Sequence, residues 1–354
     1  MNPGPVNVTA RVRKALLGSD ICHREPEFSN LLKGIKEKLL TLFGIARTHQ
    51  IAVFTGSGTT ALEAMLSSLA DNHKKILVLS NGVYGERIQS ILKVYGTPVR
   101  TLEAPLGEFP SEEKIEFVLK HDHSIHAVAM VHHETSTGML NPLAEVAGLA
   151  KKYDKLFIVD AISSLGAEAI DFKKYPIDAL AGTSGKCLHG FPGVSFVFLS
   201  HRAAQRLKTK KARSFSLDLL SALNAASKND TAFTPAVQIF YAFDEALNEL
   251  KNEGVARRIA RYKSLHALIE SGFEALGVSF LIEKSQRSHV LTALWTPQGL
   301  SYETLHDTLK KQGFVIYAGQ SALKGKIFRI SNLGEIRPSD VKRFFAVLKP
   351  LLKK

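Results

Sequence analysis

The 354-residue sequence predicts an α/β fold: a mostly parallel, seven-stranded sheet with helices on both faces, followed by a smaller α+β C-terminal domain. Three observations predict it. Apolar runs of strand length alternate with helical patterns through the first two thirds of the chain. Several of these runs are apolar throughout, as strands covered on both faces require. After about residue 235 the texture changes to two consecutive helical stretches and then shorter strands.

Ahead of the sheet, FSNLLKGIKEKLLTLFG carries apolar residues at 31, 32, 35, 39 and 42, one helix face, stopped by Gly44. The seven strand candidates are IAVF (51 to 54), KILVLS (75 to 80), VRTLE (99 to 103), HAVAMV (126 to 131), KLFIVD (155 to 160), DALAG (178 to 182) and VSFVFL (194 to 199). Thr59 opens a helix that runs through Leu69. Asn141–Pro142 caps another, which ends at Lys151–Lys152, where cations face the negative helix end. Further on, AVQIFYAFDEALNELKNEG and VARRIARYKSLHALIESGFEALG read as consecutive helices. SFLIE, VLTALW, FVIYA and KIFRIS follow as strands with helices between, ETLHDTLKKQG among them. This organisation gives an N-terminal segment at 1–20, a large domain at 21–255 and a small domain at 256–354. No repeat or low-complexity linker separates the domains, so close packing between them is expected.

Composition narrows the function. Hydrophobic residues make up 45% and charged residues 22%, the balance of a soluble globular protein. No apolar run approaches the roughly 20 residues of a membrane span, and MNPGPVNVTARVRKAL has no apolar core of a signal peptide. A cytoplasmic protein without membrane association is expected. Cys22 and Cys187 are too few for a disulfide framework or a zinc site, and no metal is expected. The formal charge of +13 is spread along the chain, with short clusters only at KTKKAR (208 to 213) and the terminal KPLLKK. No nucleic-acid motif accompanies it, so the charge reads as solvated faces with some attraction for small anions.

Chemistry first shows in IAVFTGSGTTALEAM, residues 51 to 65, where a strand ends in a glycine-rich turn that opens a helix. Small residues let the backbone approach an anion, helix amides point outward, and Ser57, Thr59 and Thr60 add hydroxyls. Gly56, Gly58 and Ala61 also fit the dinucleotide fingerprint. That reading demands an acid about 20 residues on, and the next strand ends in Leu79–Ser80–Asn81–Gly82 without one. A purely structural turn is the other alternative.

A second constellation follows. FIVDAISSLG puts Asp160 at the end of an apolar strand, where an acid is costly unless a cation meets it. ALAGTSGKCLHG puts Lys186 just past the next strand, among small and apolar residues. The two form either a structural ion pair or part of a cofactor site. A phosphate cradle, a carboxylate and a lysine at strand ends of one sheet match the needs of pyridoxal phosphate. The lysine condenses with its aldehyde and the carboxylate keeps its ring nitrogen protonated.

The chain resembles the class V aminotransferases, fold-type I enzymes of pyridoxal 5'-phosphate. The likeness runs in order through PGPVNV (3 to 8), DICHREPEF (20 to 28), FTGSGTTALEA (54 to 64), SNGVYGERI (80 to 88), MVHHETSTGMLNP (130 to 142), IVDAISSLGA (158 to 167), SGKCLHGFPGVSF (184 to 196), FTPAVQ (233 to 238), GFVIYAG (313 to 319) and FRISNLGEI (328 to 336). Within the family it is most like the branch that transaminates 2-aminoethylphosphonate with pyruvate. Alanine–glyoxylate or serine–glyoxylate transamination is the alternative.

The resemblance implies Lys186 as the cofactor-linked lysine and Asp160 as the partner of the ring nitrogen. It implies Ser57, Gly58 and Thr59 at the phosphate, Tyr84 stacked on the ring, Ile162 on its other face, and Thr135 near the phenolic oxygen. It implies Arg329 at the acid group of the substrate, whether amino donor or keto acid. It further implies a homodimer with sites at the interface, Thr234 reaching the partner's phosphate, and residues 1–20 lying near the site and the small domain. Two departures stand out. Gly185 replaces a side chain that relatives often offer to the phosphate, and Thr231–Ala232–Phe233 lacks a tyrosine that some relatives offer to the partner. Desulfuration by a mobile cysteine is disfavoured, since neither cysteine sits in an evident mobile loop. His132 and His133 read as structural, and Cys187 as a small buried residue.

Overall fold

The seven strand candidates become the seven strands of one sheet in the computed structural model, which describes residues 1–352. The last two lysines of the terminal KPLLKK cluster lie outside the described residues. In chain order the strands are β1 (His49–Gly56), β2 (Lys75–Ser80), β3 (Val99–Glu103), β4 (Ile125–Val131), a short hairpin of β5 (His133–Glu134) and β6 (Met139–Leu140), β7 (Leu156–Asp160), β8 (Ala179–Thr183) and β9 (Gly193–Ser200). The sheet order is β1-β9-β8-β7-β4-β2-β3. All neighbours pair in parallel except β9, which runs antiparallel to both β1 and β8.

Among the described residues twelve α-helices accompany the strands: α1 (Ala10–Ala15), α2 (Pro26–Leu42), α3 (Gly58–Leu69), α4 (Val83–Val94), α5 (Glu112–His121), α6 (Leu143–Lys152), α7 (His201–Leu207), α8 (Leu219–Ser227), α9 (Val237–Glu253), α10 (Val255–Glu274), α11 (Tyr302–Lys311) and α12 (Pro338–Leu348). In α2 the buried face is Phe28, Leu32, Ile35 and Leu39, which keeps three positions of the predicted stripe and adds Phe28, with Leu31 and Leu42 partly buried beside it. Gly44 takes φ 67°, the left-handed conformation that ends helices.

The sheet is covered on both faces, and β9 shows why its sequence is apolar throughout. Phe196 and Phe198 enter one core with α2 and α9, while Val197 and Leu199 enter the other with α3. Neither side of the strand meets water, so no polar alternation survives. A third core lies beyond the sheet, built by Leu265, Ile269 and Phe273 of α10, Leu305 of α11 and Phe344 of α12, with Met1 against it. It covers a three-stranded antiparallel sheet, β10 (Leu291–Trp295), β12 (Ile327–Ser331) and β11 (Tyr317–Ala318), in that order.

Two expected strands shrink. SFLIE forms a single bridge, Phe280 to Leu294, held by Leu281 N–H to Ala293 O and Trp295 N–H to Ser279 O. Of FVIYA only Tyr317–Ala318 pair, because Phe314 and Ile316 are drawn into the third core after a turn at Gly313.

The parallel register sets the site. Val131 of β4 lies opposite Asp160 of β7, and Asp160 lies opposite Ala181 of β8. The carboxyl ends of three central strands therefore finish side by side, at the edge where doubly wound sheets gather their ligands.

Candidate active site

A cavity of about 220 Å³ opens at this edge. Its wall includes Ser57, Gly58, Thr59, Tyr84, Thr135, Asp160, Ile162 and Lys186, eight of the ten residues anticipated for a cofactor and substrate site. Ser57 is the N-cap of α3, but its hydroxyl bonds no helix amide. The hydroxyl and the Gly58 and Thr59 amides are therefore available to an anion, while Thr60 N–H donates to Ser57 O at 2.9 Å. Gly58 has to be glycine: a β-carbon there stands 2.9 Å from Ile162 side-chain atoms, so any larger residue displaces Ile162 from the cavity wall.

Asp160 is 4% exposed and accepts one hydrogen bond, from Ile162 N–H at 2.9 Å. Burial pushes its carboxyl up to about 6, with the nearby Glu134 charge adding to the rise. Lys186 is held below the usual lysine range, first by burial. Its Nζ donates to the Pro3 carbonyl. Among the described residues no ion pair joins Asp160 to Lys186, so the structural pair that the sequence left open is not formed. A buried acid without its cation and a buried lysine without its acid are the features that a bound, positively charged ring partner and an aldehyde would satisfy. The donor set fits pyridoxal phosphate.

Thr135 meets the cavity with a side chain that is almost wholly buried. Its carbonyl accepts Arg329 Nη1 at 2.7 Å. Arg329 itself is not in the wall. At 3% exposure it lies just behind, with Nε on Ala318 O at 2.9 Å and Nη1 also on Gln320 Oε1 at 3.2 Å. Its Nη2 donates to no protein group among the described residues. Thr234 is exposed and does not line this cavity; two residues on, Ala236 N–H reaches Thr55 Oγ1 at 3.3 Å.

Three features were not anticipated from sequence. Glu134, fully buried, accepts from Tyr84 N–H at 3.1 Å, Gly85 N–H at 3.3 Å and Ser136 N–H at 3.0 Å, and also from the Ser136 hydroxyl. It caps the start of α4 and so fixes Tyr84, while burial pushes its own carboxyl up. Its sequence signal was the one used for Asp160: an acid just past an apolar strand. His133 joins the wall; its Nδ1 donates to Ser163 O at 3.0 Å and its Nε2 accepts from Ser288 Oγ at 2.8 Å. Burial pushes it down to about 4, so the ring is neutral and structural, as is His132. The third is Arg87 of α4. Gly4 and Pro5 also line the cavity. Tyr317 donates to Gly4 O at 3.4 Å and Ser331 N–H to Met1 O at 2.9 Å, so residues 1–5 run from Lys186 to the third core.

Gly185 also gains a reason. A β-carbon there meets Pro192 backbone atoms at 2.9 Å, so the chain cannot carry a phosphate-facing side chain at that position. Cys187 is 1% exposed and its thiol donates to Ser163 O at 3.2 Å, the buried role expected of it.

The profile of the family Aminotransferase class-V matches residues 11–342. The chain belongs to the class V aminotransferases. A 2-aminoethylphosphonate–pyruvate transaminase from Klebsiella pneumoniae is 36% identical, over 98% of this chain and 96% of its own length. The solved ureidoglycine–glyoxylate aminotransferase of Bacillus subtilis superposes with a TM-score of 0.95 at 28% identity, covering 100% of this chain and 92% of that one. An alanine–glyoxylate aminotransferase from Nostoc superposes with a TM-score of 0.93 at 28% identity, covering 99% and 94%. The fold of this aminotransferase is the fold-type I architecture of these structures. Among the described residues no helix is long and apolar enough to cross a membrane.

Proposed function

We propose that this aminotransferase uses pyridoxal 5'-phosphate to move the amino group of 2-aminoethylphosphonate to pyruvate, giving phosphonoacetaldehyde and L-alanine. One observation carries the cofactor: Asp160 and Lys186 face one cavity at the start of α3, each without a charged partner. The donor rests on the likeness to the Klebsiella enzyme, whose substrates its name states.

Ser57, Gly58 and Thr59 would hold the cofactor's phosphate, with Tyr84 and Ile162 against its ring, Thr135 at its phenolic oxygen and Lys186 at its aldehyde carbon. The cofactor, when bound, supplies the electron sink that stabilises negative charge on the donor's amino-bearing carbon. Lys186 Nζ, its basicity lowered by burial, takes the proton from that carbon and later gives one back. Asp160 Oδ holds the ring nitrogen protonated, and that positive charge relieves the burial cost of the carboxylate. Arg329 offers Nη2 to the phosphonate of the donor and then to the carboxylate of pyruvate, a charge-assisted grip suited to both. Water enters once, to release the aldehyde, and is returned when pyruvate is aminated.

The same reading takes 21–255 as the cofactor-binding domain, 256–354 as the small domain, and 1–20 as the segment that joins the small domain to Lys186. It makes the enzyme a cytoplasmic homodimer in which Thr234 reaches the partner's phosphate site. The test is a product assay: 2-aminoethylphosphonate and pyruvate should yield alanine, and Lys186→Ala should yield none. Alanine or serine with glyoxylate is the second reading, kept by the 28% identity to the Nostoc alanine–glyoxylate aminotransferase. It shares every cofactor residue, so faster turnover of those substrates would select it.

A further inference from the structure

We propose that Arg87 is a ligand of the cofactor's phosphate group, an assignment that rests on the cofactor reading above. Arg87 sits on α4 one turn after Tyr84 and lines the same cavity as Ser57, Gly58 and Thr59. Its Nη1 lies 3.4 Å from Thr59 Oγ1. Its guanidinium carbon stands 4.6 Å from the centre of the Tyr84 ring, so the group is braced by an aromatic face.

Arg87 forms no ion pair among the described residues, and its charge reaches the Asp160 carboxyl only as a lesser influence. Among the described residues no carboxylate lies within 4.0 Å of its guanidinium. A half-buried arginine that stacks on an aromatic ring and meets no acid keeps its donor edge open for a planar, bidentate contact with an oxyanion.

The cradle needs such a cation. A phosphate monoester carries a charge of about −1.5 to −2, and a helix N-terminus offers only about +0.5. Hydroxyls of Ser57 and Thr59 add hydrogen bonds but no charge. Of the cavity wall's other basic groups, His133 is held neutral and Lys186 is reserved for the aldehyde carbon. Position 185 cannot help, because Pro192 forbids a side chain there. Arg87, already within reach of Thr59, is the group that balances the dianion.

The experiment separates phosphate recognition from ring recognition. Dialysed wild-type protein, Arg87→Met (which keeps an apolar stem over Tyr84) and Arg87→Lys are titrated to equilibrium with pyridoxal phosphate and, separately, with pyridoxal. Binding is read by intrinsic fluorescence, and an unfolding midpoint is taken for each protein. Arg87→Met is expected to lose about 10- to 100-fold in affinity for pyridoxal phosphate, as for a lost hydrogen bond to a charged group, with pyridoxal affinity unchanged. Arg87→Lys should recover most of the loss.

Equal losses for both ligands would overturn the proposal, since Arg87 would then act only by holding Tyr84. Unchanged affinity for pyridoxal phosphate, with a raised KM for the phosphonate donor, would overturn it in favour of a substrate-binding role. If wild-type protein itself showed no preference for the phosphorylated form, the cofactor reading would fall, and this assignment with it.

Discussion

Asp160→Asn in the cofactor-free protein isolates the electrostatic design of the site. The carboxyl is pushed from 3.8 to about 6, burial being the largest cause, so the folded protein holds this proton more tightly than the unfolded chain does. At about 1.4 kcal/mol per unit, the shift is a penalty of about 3 kcal/mol on the charged form. The sign follows from the proton count. The folded state binds more protons between pH 3.8 and about 6, so this residue's contribution falls as pH rises through that window. Above it the full penalty applies, and below it none does.

Asparagine removes the charge and keeps an oxygen for Ile162 N–H. Cofactor-free Asp160→Asn should therefore be more stable than wild type at pH 8, by about 1–3 kcal/mol, and equal to it near pH 4. Urea unfolding of both proteins at the two pH values measures the gap. Saturating pyridoxal phosphate should reverse the order at pH 8, because only the carboxylate gains a cation. A variant less stable than wild type at pH 8, by a margin independent of pH, would refute the reasoning and leave Asp160 a structural residue.

Other substitutions test neighbouring steps. Lys186→Ala should lose turnover and the yellow absorption of the lysine-linked cofactor; either surviving would remove this lysine from the chemistry. Glu134→Ala strips the cap from α4 and leaves buried amides unpaired, so unfolding should become easier by about 2–4 kcal/mol, with Glu134→Gln recovering part of it. Measured stability within error of wild type would show that the cap is dispensable. Arg329→Ala should raise the KM for pyruvate by about tenfold or more while leaving cofactor affinity alone. An unchanged KM would place the substrate's acid group elsewhere.

The sheet was legible because burial on both faces writes itself as apolar runs, as in VSFVFL, and all seven strand candidates form strands, the mixed VRTLE as a half-buried edge strand. The small domain was less so. SFLIE and FVIYA have strand composition, but a competing core takes Phe314 and Ile316, and the backbone of 279–283 meets β10 through a single bridge. Lys186 and Asp160 were legible as costly charges in apolar surroundings. Glu134 carried a similar signal, yet its partners at Tyr84 and Gly85 lie about fifty positions away and only folding brings them together. Arg87 looks like any solvated helix arginine until the structure shows it against Thr59 and Tyr84 without an acid. Gly185 read as a missing contact, and Pro192 gives it a packing cause.

The most direct test of the central claim is an absorption spectrum of the purified protein loaded with pyridoxal phosphate, recorded before and after 2-aminoethylphosphonate is added without a keto acid. The account predicts a yellow band that bleaches with the phosphonate and returns with pyruvate, one half-reaction after the other. A protein that stays colourless with the cofactor, or a band indifferent to the phosphonate that bleaches instead with alanine or serine, would contradict it.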